Sequence, residues 1–460
     1  MVDLSESICA LSSAPGRSGI AVIRLSGPDC FGILKLVFFP AYPKTEMPER
    51  RAVLGIIRDP RTGVDLDEAL VTCFRTPHSY TGEDVAELSV HGSPVVVSHL
   101  LDCLCAQGAR LATPGEFTMR AFLHGRIDLA QAEGVRDVIE ANTLYQLQVA
   151  SRQRSGALSR QLEPVKRTLM DIIVGLETAV EFVEDDLALE SRELLAAKLE
   201  STVEELSRWV GSFRHGRIVR NGFNLAIVGR PNVGKSSLFN VLLAEDRSMV
   251  TEVPGTTRDF VSESVDIEGI PVRLTDTAGV RAGQNRLEQI GVDRSLRVIA
   301  DADAVLLVLD RSQPRCQEDE RLREQMSTLC GIVALNKSDL PSAWTAPERA
   351  EYAAIWPCFD ISALTGSGMD RLRTAIPRHL FGDQGRDRDG LLVTNLRHCQ
   401  CLEAARQHLA TGCGALRAGL SEEFVLADLH RGLQKLGEIT GETRLEDILG
   451  EIFSRFCVGK

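Results

Sequence analysis

No stretch of the sequence reaches the roughly 18 consecutive apolar residues needed to cross a bilayer as a helix, so a membrane-spanning protein is not expected. The segment MVDLSESICALSSAPGRSG lacks a basic region followed by an apolar one, and it lacks the Arg-rich amphipathic character of an organelle transit peptide. A cytoplasmic location is the expectation. The twelve cysteines include no C-x-x-C pair, and the closest pairs, Cys103 with Cys105 and Cys399 with Cys401, lack zinc spacing. They read as reduced thiols, most of them buried. Positive charge is also short: a net charge of −12 excludes the broad basic surface of a protein that grips nucleic acid alone. RNA contact would have to be local or delegated. There is no internal repeat.

A chain of 460 residues is too long for one core and divides into about three domains. Up to about His124, short apolar runs such as Ile20-Ala21-Val22-Ile23 and Ala69-Leu70-Val71 alternate with Gly/Pro turns, which predicts an α+β domain over 1–124. From Asp128 to about Val210 Pro164 is the one proline, and Leu195, Leu199, Val203 and Leu206 recur at helical steps. The segment 125–220 is therefore predicted to be helical. Strands alternating with helical stretches over 221–381 predict an α/β domain with a mainly parallel sheet. After a Gly/Asp/Arg-rich linker, Leu426, Leu429, Leu433 and Leu436 trace a helix face within 382–460. One helical domain with the α/β domain inserted is the economical reading; two separate bundles are the alternative.

Leu225-Ala226-Ile227-Val228 reads as a buried strand, followed by GRPNVGKSS and a helical stretch. This is a P-loop in its strand–loop–helix setting, where glycines let backbone N–H groups and a helix N-terminus face phosphate. Asn232, Val233, Gly234, Lys235, Ser236 and Ser237 are the candidate phosphate contacts, with Lys235 reaching the β- and γ-phosphates and the Ser236 hydroxyl ligating Mg2+. The strand Pro271–Leu274 leads to Asp276, Thr277, Ala278 and Gly279: a carboxylate anchoring magnesium through its ligands, then a glycine able to approach the γ-phosphate. Between them lies Thr251-Glu252-Val253-Pro254-Gly255-Thr256-Thr257, with Thr257 the candidate to complete the magnesium shell when the γ-phosphate is present. Asn336, Lys337, Ser338 and Asp339 follow the strand Gly331–Leu335. The Asp339 carboxylate can accept from N1 and N2 of guanine, donors that adenine lacks, and Ser362-Ala363-Leu364 can offer a backbone N–H to guanine O6. Each motif is weak alone, but five in order predict GTP and Mg2+ binding.

Hydrolysis needs more. Ras-like enzymes place a water-orienting glutamine after Asp-x-x-Gly, and here Val280 stands there. Glu288 lies in the same segment and is the candidate replacement. No arginine finger can be assigned, although Arg258, Arg281 and Arg286 lie nearby, so the cation for the developing charge is open on residues alone.

The P-loop, the segment Thr251 to Asp259, DTAGVR, and the ending Phe456-Cys457-Val458-Gly459-Lys460 together resemble the MnmE (TrmE) family of tRNA-modification GTPases, among the TrmE-Era-EngA-like GTPases. Pro15-Gly16-Arg17, Tyr80 to Leu88 and Asp128 to Glu133 match as well, so the resemblance covers essentially the whole chain. It implies a K+ ion held by Asn232, Thr251, Val253 through its carbonyl, and Thr256, supplying positive charge when two G domains meet. It also implies that Glu288 is catalytic. The amino-terminal domain would dimerise and hold a 5-formyl- or 5,10-methylene-tetrahydrofolate through Arg24, Glu87, Arg126 and Lys460; Arg126 replaces the family's frequent lysine. The homodimer would join the FAD protein MnmG (GidA) as a heterotetramer and add an aminomethyl or carboxymethylaminomethyl group at C5 of the tRNA wobble uridine. Cys457 has no assigned chemical role, and Arg152 to Arg167 reads as a solvated helix face with tRNA contact as the lesser reading. The competing class is a ribosome-assembly GTPase of the Era/Der type, which would carry a KH module or tandem G domains; Gly16-Arg-Ser-Gly19 reads as a turn.

Overall fold

The computed structural model describes residues 4–42, 47–181, 190–245, 262–276, 302–381, 392–442 and 446–460. The chain forms two compact units, one of Met1–Arg136, Gln153–Arg167 and Leu433–Lys460, the other of Asp137–Arg152 and Thr168–Gly432.

In the first unit, strands β1 (Ile8–Leu11), β2 (Ser18–Ser26), β3 (Phe38–Pro40), β4 (Val53–Arg58), β5 (Asp65–Phe74), β6 (Val85–Gly92) and β7 (Arg110–Leu111) form one sheet in the order β3-β4-β5-β6-β2-β1-β7. All neighbours are antiparallel except β1 and β7. Period-two alternation decides the faces. Ile23, Leu25, Val71, Cys73, Ala86 and Leu88 point to one side and pack on Ile33, Leu34, Leu100 and Leu104 of the helices Cys30–Val37 and Pro94–Ala106. Arg24 and Glu87, one residue out of phase, lie on the other. A second core joins Phe122, Leu129 and Ala132 to Phe453 and Phe456. Gly115 permits that approach: its φ is +71° and a Cβ there would meet the Phe453 carbonyl oxygen at 2.6 Å.

In the second unit, β8 (Phe223–Val228), β9 (Ser262–Ile267), β10 (Ile270–Asp276), β11 (Ala304–Asp310), β12 (Cys330–Asn336) and β13 (Cys358–Asp360) form a sheet in the order β13-β12-β11-β8-β10-β9. Every pairing is parallel except the β9–β10 hairpin. β11 is apolar through Leu309 and buried throughout, as expected of a parallel strand covered on both faces. The sheet therefore has two cores, one on each side. This is the Ras-like arrangement, with a mainly parallel sheet and a P-loop after its central strand β8.

Helices Leu129–Glu140, Leu144–Arg154, Ala157–Glu181 and Arg192–Asn221 occupy the predicted helical stretch, and Pro164 sits within a helix without ending it. Leu195, Leu199 and Leu206 are buried as their spacing predicts. In the helix Glu422–Thr440 the buried line runs through Val425, Leu429, Gly432, Leu436 and Ile439, so Leu426 and Leu433 lie on its flank, half-buried. The leucine spacing identified the helix but placed its face partly off centre. All twelve cysteines are free thiols, six of them buried, with Cys330 and Cys457 exposed. Among the described residues no helix is long and apolar enough to cross a membrane, and no group of three or more His, Cys, Asp or Glu is arranged to hold a metal.

Candidate functional site

β8 delivers the chain to Gly229 at the carboxyl edge of the parallel strands, where ligands of such sheets bind. The loop then turns into the helix Lys235–Glu245. Gly234 has φ +99°, and a Cβ there would lie 2.2 Å from Asn336 Nδ2, so this position has both conformational and steric need of glycine. Asn232 adopts φ +63°, a left-handed conformation uncommon for a residue with a side chain, and its side chain is exposed. Lys235 is 6% exposed; its ammonium donates to the carbonyls of Gly229 and Arg230, each at 2.6 Å. Those carbonyls hold the charge at the loop, and the N–H groups at the start of the helix lie beside it. Ser236 and Ser237 are exposed at the same helix start. Cationic, donor-rich and shaped by glycine, the loop is suited to an anion such as a polyphosphate.

Asn336, at the end of β12, joins three segments. Its Nδ2 donates to the Val233 carbonyl at 2.8 Å, and its Oδ1 accepts from the Ala363 N–H at 3.0 Å. Asp339 is exposed and accepts from the Ser362 hydroxyl at 2.5 Å, while the Ser338 N–H donates to the Ile361 carbonyl. Leu364 is exposed beside them. The P-loop, Asn336 to Asp339 and Ser362 to Leu364 are thus brought to one edge of the sheet. Asp276 ends β10 and pairs in register with Ile227 of β8, two residues before Gly229. Thr251, Glu252, Val253, Pro254, Gly255, Thr256, Thr257, Thr277, Ala278, Gly279, Val280 and Glu288 lie outside the described residues.

Two supports of this edge escaped the sequence reading. Asp310, 3% exposed at the end of β11, pairs with Lys337 Nζ at 2.6 Å and accepts from the Ser312 hydroxyl and N–H. Burial pushes its carboxyl up, but the Lys337 and Ser312 hydrogen bonds outweigh it and hold the group below the usual aspartate range. Arg230 in the P-loop pairs at 2.7 Å with Asp319, which is 1% exposed and lies in the first turn of the helix Gln317–Gln325. The only available signal was an Asp at a strand end and another in a helix's first turn, too common to single out.

In the first unit, Arg24 and Glu87 are directly opposed across β2 and β6. Arg24 donates through Nε and Nη2 to Glu87 Oε1 at 3.1 and 2.8 Å. Its Nη1 lies 3.5 Å from the Gly459 carbonyl, which also accepts from the Ser12 hydroxyl at 3.0 Å. Lys460, the next residue after Gly459, is half-buried. Arg126 is exposed and lies against the loop at Gly82, where a Cβ would meet its Cγ at 3.3 Å. Beneath, Arg120 is fully buried between Glu83 and Glu116, at 3.0 and 2.9 Å, and Arg110 adds a second pair of bonds to Glu116. Burial raises the Glu116 carboxyl, but the hydrogen bonds from Arg110, Thr113 and Arg120 outweigh it and hold the group at about 2.

Similarity to known proteins extends over the whole chain. The G domain of the T. maritima FeoB iron transporter is 28% identical, covering 34% of this chain and 98% of that one, with a TM-score of 0.27. The family described as GTP-binding protein TrmE N-terminus matches residues 7–126, and the MnmE helical domain matches residues 129–457. The tRNA modification GTPase MnmE of Koribacter versatilis is 43% identical over all 460 residues, covering 100% of both chains. That of Thermoanaerobacter pseudethanolicus is 40% identical over 458 residues, covering 99% of each. By identity sustained from one end of the alignment to the other, the chain belongs to the MnmE family of tRNA modification GTPases.

Proposed function

We propose that this chain binds and hydrolyses GTP to drive modification of the tRNA wobble uridine at C5, as a homodimer in complex with MnmG and its FAD, in the cytoplasm. The observation that carries the reading is the joining of the P-loop to the base-recognition segments through Asn336, in a chain related to MnmE over its full length. Lys235 would neutralise the β- and γ-phosphates, and Asp339 would select guanine. Mg2+ would be held by Ser236 and Thr257 and would offset phosphate charge. Ser236, exposed at the helix start, and Asp276 at the end of the neighbouring strand fit that role. K+ would sit at Asn232, Thr251, Val253 and Thr256, and the exposed, left-handed Asn232 fits an ion ligand at the loop's outer face. Glu288 would orient the water.

A tetrahydrofolate derivative, 5-formyl or 5,10-methylene, would supply the one-carbon unit. The residues present fit it: Glu87 Oε2 has no hydrogen-bond partner among the described residues and can accept from ring N–H groups, while Arg24, Arg126 and Lys460 offer cations to carboxylate or carbonyl oxygens. The domain divisions near 124, 220 and 381 belong to the same proposal. Whether the product is aminomethyl or carboxymethylaminomethyl depends on the partner's substrate. Nucleoside analysis of tRNA from a strain lacking this gene is the test. Loss of C5-modified wobble uridine is expected; a full complement of it would refute the proposal and favour a ribosome-assembly role.

A further inference from the structure

The Arg24–Glu87 pair is enclosed by more than its own ion pair. The Arg24 guanidinium carbon lies 5.0 Å from the centroid of the Tyr80 ring and 5.5 Å from that of Phe117. Both distances are within cation–π range. Each ring is fixed from behind. Phe117 is fully buried with Ile8, Ala10 and Ala112. The Tyr80 hydroxyl is hydrogen-bonded to Thr118 Oγ1 at 2.8 Å, one residue along the same helix, Glu116–Leu123. The loop that carries Tyr80 is pinned at Ser26–Thr81 (2.8 Å), Ser79 to the Glu83 carbonyl (2.5 Å) and Glu83–Arg120 (3.0 Å).

An arginine side chain has several rotatable bonds and loses much freedom when it binds. Here two rings and one carboxylate oxygen take most of that freedom before any ligand arrives. Among the described residues the Arg24 Nη1 has only the long contact to the Gly459 carbonyl, and the side chain remains 14% exposed. The charge is therefore both oriented and reachable.

We propose that Tyr80, backed by Phe117, is a positioning residue for ligand recognition at Arg24 and Glu87: its ring holds the Arg24 guanidinium in the geometry that meets an oxygen of the folate ligand. This rests on the folate reading given above. Preorganisation of this kind raises affinity by lowering the ordering cost of binding. The aromatic ring, not the hydroxyl, is the operative group.

The test is calorimetric titration of 5-formyltetrahydrofolate into the full-length chain. Tyr80→Phe should bind within about 2-fold of wild type, and Tyr80→Leu should bind about 5- to 30-fold more weakly, the span expected of a partly desolvated cation–π contact. In an Arg24→Lys background the Tyr80→Leu change should cost much less, because the partner that it positions has gone. A ring that served only as packing would pass these arms if the Leu variant misfolded. A series with phenylalanine at position 80 carrying one, then three fluorines keeps the shape and withdraws electron density from the ring face; affinity should fall stepwise. Equal affinity across the fluorinated series would overturn the proposal while leaving the folate reading intact. Absence of binding to the wild-type chain would instead remove the folate reading and this proposal with it.

Discussion

Replacing Asn336 by alanine tests the G-domain reading at its most connected residue. The side chain is 3% exposed, and both of its hydrogen bonds go to backbone groups of other segments, the Val233 carbonyl and the Ala363 N–H. Removing it leaves a buried acceptor and a buried donor, each costing about 1–3 kcal/mol if nothing replaces the partner. The total is about 2–6 kcal/mol, and the lower end applies if water enters the space. If the P-loop and the Ser362–Leu364 segment relax without nucleotide and must be re-formed on binding, this cost appears in affinity. At ~1.4 kcal/mol per decade, 2 kcal/mol is roughly a 30-fold loss. Because Asn336 is engaged with the protein, the loss should be the same for guanosine and xanthosine diphosphates. Fluorescent nucleotide titration measures the affinity, and hydrogen exchange at the Ala363 amide should accelerate in parallel. A change in affinity below about 3-fold, or a loss confined to guanine, would refute the junction role.

Other expectations follow from individual groups. Asp339→Asn exchanges an acceptor for a donor at the base, so GTP should weaken and xanthosine triphosphate, with a carbonyl where guanine has an amino group, should strengthen; unchanged base preference would remove Asp339 from recognition. Exchanging K+ for Na+ at saturating GTP should slow hydrolysis at least about 10-fold, and Glu288→Ala should keep GTP affinity while abolishing turnover. Equal rates in the two salts would count against a potassium site. Glu116, ordinarily near 4.5, is held at about 2 in the folded chain, so its stabilising contribution is present above pH 4.5 and is lost as pH falls toward 2. Glu116→Gln should lower the melting temperature at pH 7, through a loss of about 3 kcal/mol, and the gap to wild type should narrow on acidification; a constant gap would argue against the charged network.

What the sequence made legible was local. The P-loop is a strand, a turn and a helix consecutive in the chain, so glycine spacing and apolar runs suffice to place it, while Asn336, read as following its strand, is that strand's last residue. The Val425–Leu429–Leu436–Ile439 stripe was only partly legible, because leucine spacing identifies a helix while the burial of its smaller neighbours decides the face. Ion pairs between distant segments were not legible. Arg230 meets Asp319 across 89 positions and Lys337 meets Asp310 across 27, and only the strand order β12-β11-β8 brings such residues to one edge. Arg120 combines both kinds: Glu116 lies one turn before it on the same helix, but its full burial also needs Glu83, 37 positions earlier.

Gly459 sits at φ +95° with no room for a Cβ, which would lie 2.1 Å from the Leu11 carbonyl oxygen, and its own carbonyl accepts from Ser12, 447 positions earlier. During synthesis these partners leave the ribosome far apart in time: at about 5–20 residues per second the interval is roughly 20–90 s. For that period the Ser12 hydroxyl lacks its Gly459 acceptor, and Phe122 and Leu129 lack Phe453 and Phe456. The second core of the first unit can therefore close only after Phe453 and Phe456 have been made, long after Phe122 and Leu129.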